Sequence, residues 1–574
     1  MRLPQPFRQP RSSKGYDAPP RSATVGARAS GALGHVSWSA RTVLLIGVVG
    51  AVWLAWDVAT DDQPRIRGDR FDQIDAYVAD QIDDSRIPGA AIAVIEDGDV
   101  VHARGFGDDG HGNAVAAATP FWIGSNTKSV TALAVMQLAE AGSVDLDAAV
   151  RDYLPGFAVA DDAASARITV RHLLNQTSGI SRVDGLRAVV EADAGDSIQD
   201  VVAAMADLQL NRPVGERFEY ANLNSVVLGA VIEAVTGQTW QDYVQNNIFD
   251  PLAMTNTYTD KTAAEAAGLT ATHRYFFGFP VETDGEHFPG LAPTGYVYTS
   301  AADLGRYLAM YANGGSLDGQ RVLRDAGIAE MLRPATNERT FTLQSQQFDA
   351  RYGAGWFVGP FGAASDARWH QGSLPYFTTW MVLLPETDQA VAVMINAGNQ
   401  FEIGGANAAW SRIPQGIVNL LRDTDPPTGT STARFFIIFN TLVAMVIVAQ
   451  VWTIARLIAR PRSDMNPTVR RAAPLVGELI VAPLALFIYP AITGGLGWGA
   501  AFSFIPDLSL TVATVAGLAV VAGVVRATRL ARYRPRSGHE LDLRTRPAPD
   551  SASSSTSTDA AEPERPSVPT RQHQ

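Results

Sequence analysis

Ser125 and Lys128 have the side chains and the spacing of a nucleophile and its activator. They stand three residues apart in FWIGSNTKSVTALAV, where a segment with helical periodicity begins. Such residues are one helical turn apart, so their side chains share a face and can meet. A helix N-terminus here also stabilises negative charge that develops beside Ser125. The pair predicts nucleophilic attack by a serine oxygen on an acyl group.

Lysine is rare in this chain, which makes its place beside Ser125 informative. Only Lys14, Lys128 and Lys261 occur among 46 basic residues. A serine hydroxyl needs a base at neutral pH, and a lysine can be that base when burial or nearby charge keeps it neutral, whereas arginine cannot. Because Ser-x-x-Lys also arises by chance, the pair needs the support of further motifs.

Two further segments supply that support. FEYANLNSVVLGAVIEAVTG contains Tyr220 and Asn222 ahead of a helical pattern, and ARWHQGSLPYFTTW contains His370, Gln371 and Gly372. Together with the Ser-x-x-Lys segment, they resemble the Ser-x-x-Lys, Tyr-x-Asn and Lys-Thr-Gly (or His-x-Gly) elements of the serine β-lactamase and penicillin-binding-protein superfamily. The similarity is greatest to its class C-like branch, which includes D-Ala-D-Ala carboxypeptidases, D-aminopeptidases and esterases.

The resemblance implies roles for the first two elements. Ser125 would form the acyl-enzyme, Lys128 would take its proton, and Tyr220 would pass a proton to or from the leaving group. Whether Lys128 or Tyr220 is the principal base is left open. Asn222 would orient Lys128 and bind a substrate amide. Taken singly, Tyr220 could be a half-buried aromatic residue before a helix and Asn222 the N-cap of that helix.

The third element would bind the substrate from the other side. Gly372 would let the strand backbone approach closely, and the N–H of Ser373 would form an oxyanion hole with that of Ser125. His370 stands where β-lactamases and many peptidoglycan enzymes have lysine, so a fixed positive charge for a substrate carboxylate is missing. We therefore expect slow or absent turnover of β-lactams. The alternative is that His370 is an ordinary edge-strand histidine.

Composition narrows the partners and cofactors. The net charge of −12 argues against nucleic acid as a partner. The chain has no cysteine, which excludes thiol catalysis, disulfides and Cys-ligated zinc. Its histidines form no paired metal-ligand pattern in the domain, and we see no phosphate loop. We predict no metal and no other cofactor; the expected partners are a small-molecule or cell-wall peptide substrate and a membrane.

Local patterns predict several elements of the central region. Gly89–Gly107 reads as two β-rich runs joined by an Asp-Gly pair, and Trp380–Gly398 has the same hairpin pattern. Ser129–Gly142 is apolar at helical spacing and ends on glycine, which indicates a buried helix. The resemblance, which covers about residues 70–422, implies an α/β (α+β) fold: an antiparallel sheet flanked by helices, with a helical subdomain and the active site between them.

Apolar segments on either side of this region predict a membrane protein. Thr42–Trp56 is an uncharged run that we interpret as an anchor, with a cleaved signal peptide as the alternative. Three further apolar blocks lie within 435–525, and arginines flank them. By the positive-inside rule both termini are cytoplasmic and the catalytic domain is outside. The predicted organisation is a disordered basic cytoplasmic tail (1–40), an anchor (41–59), the hydrolase domain (70–422), a linker (423–434), three transmembrane helices (435–525) and a disordered cytoplasmic tail (526–574).

The predicted function is therefore that of a membrane-bound, extracytoplasmic serine hydrolase. Its substrates would be peptidoglycan-type or D-amino-acid peptides, or esters. One alternative is a catalytically silent β-lactam or peptidoglycan sensor that signals through the C-terminal helices. Another is transport by those helices, which their sparse intramembrane charge disfavours. Glu478 is the acidic residue of the middle C-terminal block. It could be a functional intramembrane charge, but its place near the cytoplasmic end of the block favours a position at the membrane interface.

Overall fold

A computed structural model describes most of the chain between the two tails. The described residues are 69–336, 340–343, 346–398, 409–429, 432–459, 472–492 and 497–532. The predicted N-terminal anchor at 41–59, the tail at 1–40 and the chain beyond 532 lie outside them.

The centre of the region between residues 70 and 422 is a seven-stranded sheet. All its strand pairs are antiparallel, and the strand order is β11-β12-β13-β14-β15-β1-β2. The strands of the chain are β1 Gly89–Glu96, β2 Asp99–Gly107, β3 Phe121–Trp122, β4 His273–Phe276, β5 Phe279–Glu282, β6 Tyr298–Thr299, β7 Ser316–Leu317, β8 Gln320–Arg321, β9 Thr340–Leu343, β10 Gln346–Asp349, β11 Arg351–Tyr352, β12 Phe357–Phe361, β13 Ala364–Leu374, β14 Phe377–Leu384, β15 Gln389–Ile395 and β16 Ala397–Gly398.

In the described residues of this region, eighteen short or medium-length helical segments accompany the sheet. The α-helices of this region are α1 Arg70–Ser85, α2 Thr127–Glu140, α3 Val150–Tyr153, α4 Asp162–Ser165, α5 Val170–Leu174, α6 Arg182–Val190, α7 Ile198–Ala203, α8 Asn222–Thr236, α9 Trp240–Val244, α10 Lys261–Ala266, α11 Ala292–Gly295, α12 Ala301–Ala312, α13 Asp325–Met331 and α14 Ala409–Leu421. The other segments are the 3₁₀ turns Gly124–Asn126, Ala204–Asp207 and Pro289–Leu291 and the π-helical turn Gln245–Phe249.

Both faces of the sheet are covered, which explains why its central strands read as continuous apolar runs. Successive side chains of a strand point to opposite faces. In β1, Ala91 and Ile95 join one apolar core, whereas Ile92 and Val94 join the other. Helix α12 covers the first face, and α1 and α14 pack together over the second. Burial on both sides leaves no polar alternation in β1 or β14.

The local predictions for this region are confirmed. Both predicted hairpins form: β1 pairs with β2, and β14 with β15. The predicted buried helix is α2, and it ends at Glu140. Gly142, two residues on, has a φ of +74°, the left-handed conformation that glycine adopts most readily after a helix.

Helices α2 and α8 are the centre of the helical half of the domain. They pack against each other, and the short helix α11 packs against both. Eleven of the fourteen residues of α2 are buried, because this helix lies between the sheet and the helical half. The chain thus places the start of α2 and the start of α8 at the junction of the two halves.

The described part of the C-terminal region consists of apolar helices of very different lengths. They are α15 Thr432–Ala459, α16 Ala472–Val476, the π-helical turn Gly477–Val481, α17 Ala482–Ile492, α18 Gly497–Phe504 and α19 Pro506–Ala531. Within the described residues three stretches are long and apolar enough to cross a membrane: Thr432–Ala459, Pro474–Ala491 and Pro506–Ala531. The predicted borders need correction, because helix starts at Thr432 inside the predicted linker and runs to Ala531 inside the predicted tail.

The charged residue of the middle span is paired. Glu478 accepts hydrogen bonds from Arg526 of α19, at 2.8 Å from Nε and 2.7 Å from Nη2. In this bidentate contact, two N–H groups of the guanidinium bind the two oxygens of the carboxylate. The pair connects two apolar helices.

One hairpin of the region between residues 70 and 422 contacts these helices. The turn between β4 and β5 holds Phe277, whose N–H donates to Asp507 Oδ1 at 2.9 Å and whose carbonyl accepts from Asn440 Nδ2 at 2.8 Å. The Phe277 ring also stacks on Phe439. At its other edge, β4 pairs with β16.

Candidate active site

Ser125, the predicted nucleophile, lies in a tight turn ahead of α2. The turn is the 3₁₀ segment Gly124–Asn126, and Gly124 has a φ of +51°. A side chain at Gly124 would come within 2.9 Å of the Phe377 ring, so both backbone conformation and space favour glycine. Ser125 is partly exposed while its neighbours in the turn are buried. Its hydroxyl is therefore accessible from the cleft.

Lys128 is buried directly behind Ser125. Its Nζ lies 3.0 Å from Ser125 Oγ and 2.8 Å from the carbonyl oxygen of Thr294. Only 2% of the residue is accessible to solvent. Within the described chain no carboxylate pairs with it, so burial lowers the pKa of Lys128 well below its ordinary value. A lysine in this state can accept a proton from the serine.

Tyr220 stands on the other side of the same pair. Its ring centroid is 5.1 Å from Lys128 Nζ, and its hydroxyl is hydrogen-bonded to Ser125. Although part of the ring is accessible from the cleft, burial raises the pKa of the Tyr220 hydroxyl, and the hydrogen bond to Ser125 and the charge of Arg182 only partly oppose this. The phenol stays protonated at neutral pH and can donate.

Asn222 is connected to Lys128 through Thr294. It is the first residue of α8, and the N-cap position belongs to Ala221, so Asn222 is not the N-cap that it could have been from sequence. Its Oδ1 accepts a hydrogen bond from Thr294 Oγ1 at 3.2 Å. Because the Thr294 carbonyl binds Lys128, the amide and the amine share one positioning residue.

Strand β13 closes the site from the sheet side. A methyl group added at Gly372 would overlap the carbonyl oxygen of Ile123 and lie 3.1 Å from Ser125 N. The strand backbone thus passes so close to Ile123 and Ser125 that no side chain fits at Gly372. Ser373, the next residue, lines the cleft.

His370 lies close to the site, but it is not among the described residues that line the cleft. It is buried, with Nε2 3.4 Å from Tyr352 Oη and Nδ1 3.0 Å from the Gln371 carbonyl. Burial, together with Lys128, lowers the pKa of His370 to about 3. The ring is therefore neutral and supplies no fixed charge. The edge-strand interpretation is wrong, because β13 lies inside the sheet.

The cleft in front of Ser125 has apolar and hydrogen-bonding walls. Its lining residues are Gly124, Ser125, Arg182, Leu186, Val189, Tyr220, Asn222, Thr294, Gly295, Tyr296, Gln371, Ser373 and Leu374. The sequence-predicted site residues in this set are Ser125, Tyr220, Asn222 and Ser373. Lys128, His370 and Gly372 lie immediately behind the surface.

Two important residues were missed from sequence. Thr294 lies in α11, in the segment Leu291–Tyr296, whose Pro-Thr-Gly core carries no chemistry by itself. Arg182 follows the TSGIS segment and starts α6. A search for polar residues flanked by Pro and Gly would have singled out Thr294, but neither position could be placed at Ser125 without the fold.

Comparison with known proteins agrees with this geometry. The family model described as Beta-lactamase matches residues 74–413. This covers more than half of the chain, and the chain therefore belongs to the β-lactamase family of serine hydrolases.

Individual relatives have penicillin-binding-protein names. Penicillin-binding protein 4 of Amycolatopsis lactamdurans is 32% identical over 322 residues, 54% of this chain and 81% of that protein. Protein flp of Staphylococcus aureus is 28% identical over 342 residues, 59% of this chain, and the chain spans only 65% of its length. The octameric penicillin-binding protein homologue from Pyrococcus abyssi matches 66% of this chain and 81% of its own, with 25% identity and a TM-score of 0.52.

Proposed function

We propose that this protein is a membrane-bound, extracytoplasmic hydrolase that cleaves peptidoglycan-type or D-amino-acid peptides, or esters, through an acyl-enzyme on Ser125. One observation carries the proposal: Lys128 Nζ lies 3.0 Å from Ser125 Oγ in a buried position. A buried lysine without a carboxylate partner is costly for stability. Such an arrangement is typical of an active site that needs a neutral amine.

In the acylation step Lys128 is the base. Lys128 takes the hydroxyl proton as Ser125 Oγ attacks the substrate carbonyl carbon. The negative charge on the carbonyl oxygen is stabilised by the N–H groups of Ser125 and Ser373. Tyr220 donates its proton to the leaving amine or alcohol and recovers one from Lys128, so no net proton is gained or lost. The products are an ester on Ser125 and a free leaving group.

In the second step water replaces the leaving group. The same Lys128 and Tyr220 system takes a proton from the water that attacks the Ser125 ester, and returns a proton to Ser125 Oγ as the ester bond breaks. Asn222 orients the reacting groups through its bond with Thr294. His370 does not reach the substrate-binding wall itself; it is a neutral ring that packs behind Gln371 and Ser373, which line the cleft, and it contributes no charge.

Mass labelling of the full chain in detergent tests the proposal. Wild type, Ser125→Ala and Ser143→Ala are incubated with a fluorophosphonate and with a penicillin, and intact masses are measured; Ser143 is exposed and serves as the matched control. The proposal predicts that a fluorophosphonate adduct forms on wild type and Ser143→Ala and is absent from Ser125→Ala. A folded wild-type protein without adduct would contradict it. Penicillin labelling would favour peptidoglycan-type substrates over simple esters.

The proposed topology rests on the apolar helices and on their basic flanks. Arg526 and Arg529 lie in the last turns of α19 and Arg532 directly follows it, so the C-terminal end of this helix is proposed to be cytoplasmic. Since the chain has no cysteine, Ala141→Cys in the domain and Arg532→Cys after α19 can each be labelled selectively. A membrane-impermeant maleimide should label only Ala141→Cys in intact cells. Labelling of Arg532→Cys instead would reverse the topology.

A silent sensor is the second candidate, because the β4–β5 turn contacts two of the apolar helices. Through Phe277 this hairpin is bound to Asp507 and Asn440, and at β4 it pairs with β16 beside the sheet. A ligand could act on the helices by this route. The two candidates differ in turnover: a hydrolase regenerates free Ser125 after acylation by a thioester, whereas a sensor keeps the acyl group or never forms it.

A further inference from the structure

The charge of the active-site cleft is concentrated in one residue. Among the described residues that line it, Arg182 is the one with a fixed charge, and no carboxylate lines it. The sheet side adds none, since His370 is neutral. A cleft of this kind favours an anionic substrate group.

Arg182 is held in place by the start of its helix. Ser181 caps α6 by accepting a hydrogen bond from the Asp184 N–H. The Arg182 N–H donates to Glu219 Oε1 at 3.0 Å. Because Glu219 directly precedes Tyr220, this bond fixes the base of the Arg182 side chain beside the segment that carries the proposed proton donor.

Two acidic residues lie beside Arg182, Asp184 two positions further along the chain and Glu219 at the Arg182 N–H, and both have other partners. Glu219 pairs with Arg212 at 3.0 Å, and Asp184 pairs with Arg187 at 3.1 Å. In the described part of the chain the Arg182 guanidinium itself has neither a hydrogen-bond nor an ion-pair partner. Burial lowers the pKa of Arg182, an effect that Tyr220 opposes, yet guanidinium stays protonated in proteins. A partly buried cation without an acceptor is stabilised when a ligand supplies one.

The face of α6 that carries Arg182 also indicates the chemistry of the rest of the ligand. Arg182, Leu186 and Val189 all line the cleft. They stand at positions i, i+4 and i+7 of the helix, which lie on one face. The cation is thus followed along the helix by an apolar wall.

We propose that Arg182 binds a carboxylate on the leaving-group side of the substrate and so determines specificity for acidic leaving groups. The inference rests on the proposed hydrolase function. The positive charge that a lysine in place of His370 would supply on β13 is thus supplied by Arg182 of α6, next to Tyr220, where the leaving group departs. A guanidinium suits this task because it can donate two parallel hydrogen bonds to a carboxylate.

A pair of thioesters that differ in one charge tests the assignment on the full chain in detergent. Benzoylglycyl thioglycolate ends in a carboxylate, and its methyl ester does not, while the bond to be cleaved is the same. We expect wild type to prefer the acid by about 30-fold in kcat/KM, the size of a charge-assisted hydrogen-bonded contact. Equal values for the two thioesters in wild type would overturn the proposal without any variant.

Variants of Arg182 locate the preference. Arg182→Gln should lower kcat/KM for the acid to about the value for the methyl ester, and it should change kcat/KM for the methyl ester by less than about threefold. Arg182→Lys should restore part of the preference for the acid. Arg167→Gln, at an exposed arginine outside the cleft, should keep the preference for the acid. A parallel loss for both thioesters would show a structural role instead, and an unchanged preference in Arg182→Gln would also overturn the assignment.

Fluorophosphonate labelling tests the proposed hydrolase function separately from the proposed role of Arg182. The reagent needs Ser125 but carries no carboxylate. An unlabelled wild type would refute the hydrolase function itself, whereas normal labelling of wild type and Arg182→Gln with no preference for the acid would refute only the role of Arg182. If thiol release is too slow to follow, the two thioesters are compared as competitors of labelling, and equal competition overturns the proposal.

Discussion

The active-site cleft and the C-terminal helices both bury basic side chains, but these side chains differ in whether a carboxylate pairs with them. In the helices, Arg526 meets Glu478 through two hydrogen bonds. In the cleft, Lys128 and Arg182 have no carboxylate partner among the described residues. An ion pair neutralises charge where structure alone is needed, whereas an unpaired base can still react or bind.

The same contrast holds between two lysines of one domain. Lys261 Nζ lies 2.6 Å from Asp284 Oδ1 and 3.4 Å from Glu265 Oε1. Burial opposes it, but the hydrogen bond and charge of Asp284, with help from Glu265, raise the pKa of Lys261. Burial without such partners lowers the pKa of Lys128. Surroundings, more than residue type, decide which lysine can act as a base.

The largest expected effect comes from replacing the unpaired lysine. Lys128→Arg keeps a positive charge but cannot release a proton at neutral pH, so we expect fluorophosphonate labelling of Ser125 to slow by about 10³-fold. The labelling rate is measured on the full chain by intact mass. Lys128→Met should slow the labelling of Ser125 by about the same factor.

Lys261→Met is the matched control for that experiment. Its ion pairs are with partners that are mostly exposed, so we expect a loss of about 0.5 kcal/mol or less in stability and an unchanged labelling rate. If Lys128→Arg were labelled as fast as Lys261→Met, Lys128 would not be the base and the contrast between the two lysines would lose its functional meaning.

The pH dependence should be the next largest effect. The reactive form of Lys128 is the neutral amine, which is present above its pKa and is lost as pH falls through that value. Because burial lowers the pKa of Lys128, labelling should persist well below the ordinary lysine value of about 10.4 and then fall about tenfold per pH unit. The measurement is the labelling rate against pH. A rate that increases toward acid pH is incompatible with this mechanism.

The smallest effect on catalysis is expected from the paired region. Glu478→Gln leaves Arg526 without its carboxylate, and we expect about 3 kcal/mol of destabilisation, seen as a lower Tm in detergent, with labelling of Ser125 unchanged. The double variant Glu478→Leu, Arg526→Leu removes both charges and should recover most of the loss. A Tm unchanged in Glu478→Gln would mean that the ion pair contributes nothing to the helices.

The predictions from sequence succeeded where the deciding contacts are local. The two hairpins follow from runs of β-forming residues joined by tight turns, and α2 from its helical spacing and Gly142. The Ser125 and Lys128 contact is also local, because three residues of separation bring the two side chains together. The apolar composition of the C-terminal blocks predicted three long helices, and only their borders shifted, since helix ends depend weakly on hydropathy.

Contacts between distant segments were decided by the tertiary structure alone. Thr294 binds Lys128 across 166 residues of chain, and Arg182 enters the cleft because α6 packs against α8. His370 lies inside the sheet, where burial makes it neutral, and no pattern around it indicates that state. Sequence determined which residues could react, since that depends on side-chain type and near neighbours. The fold decided which of them are unpaired, because pairing and burial depend on segments that meet only after the chain has folded.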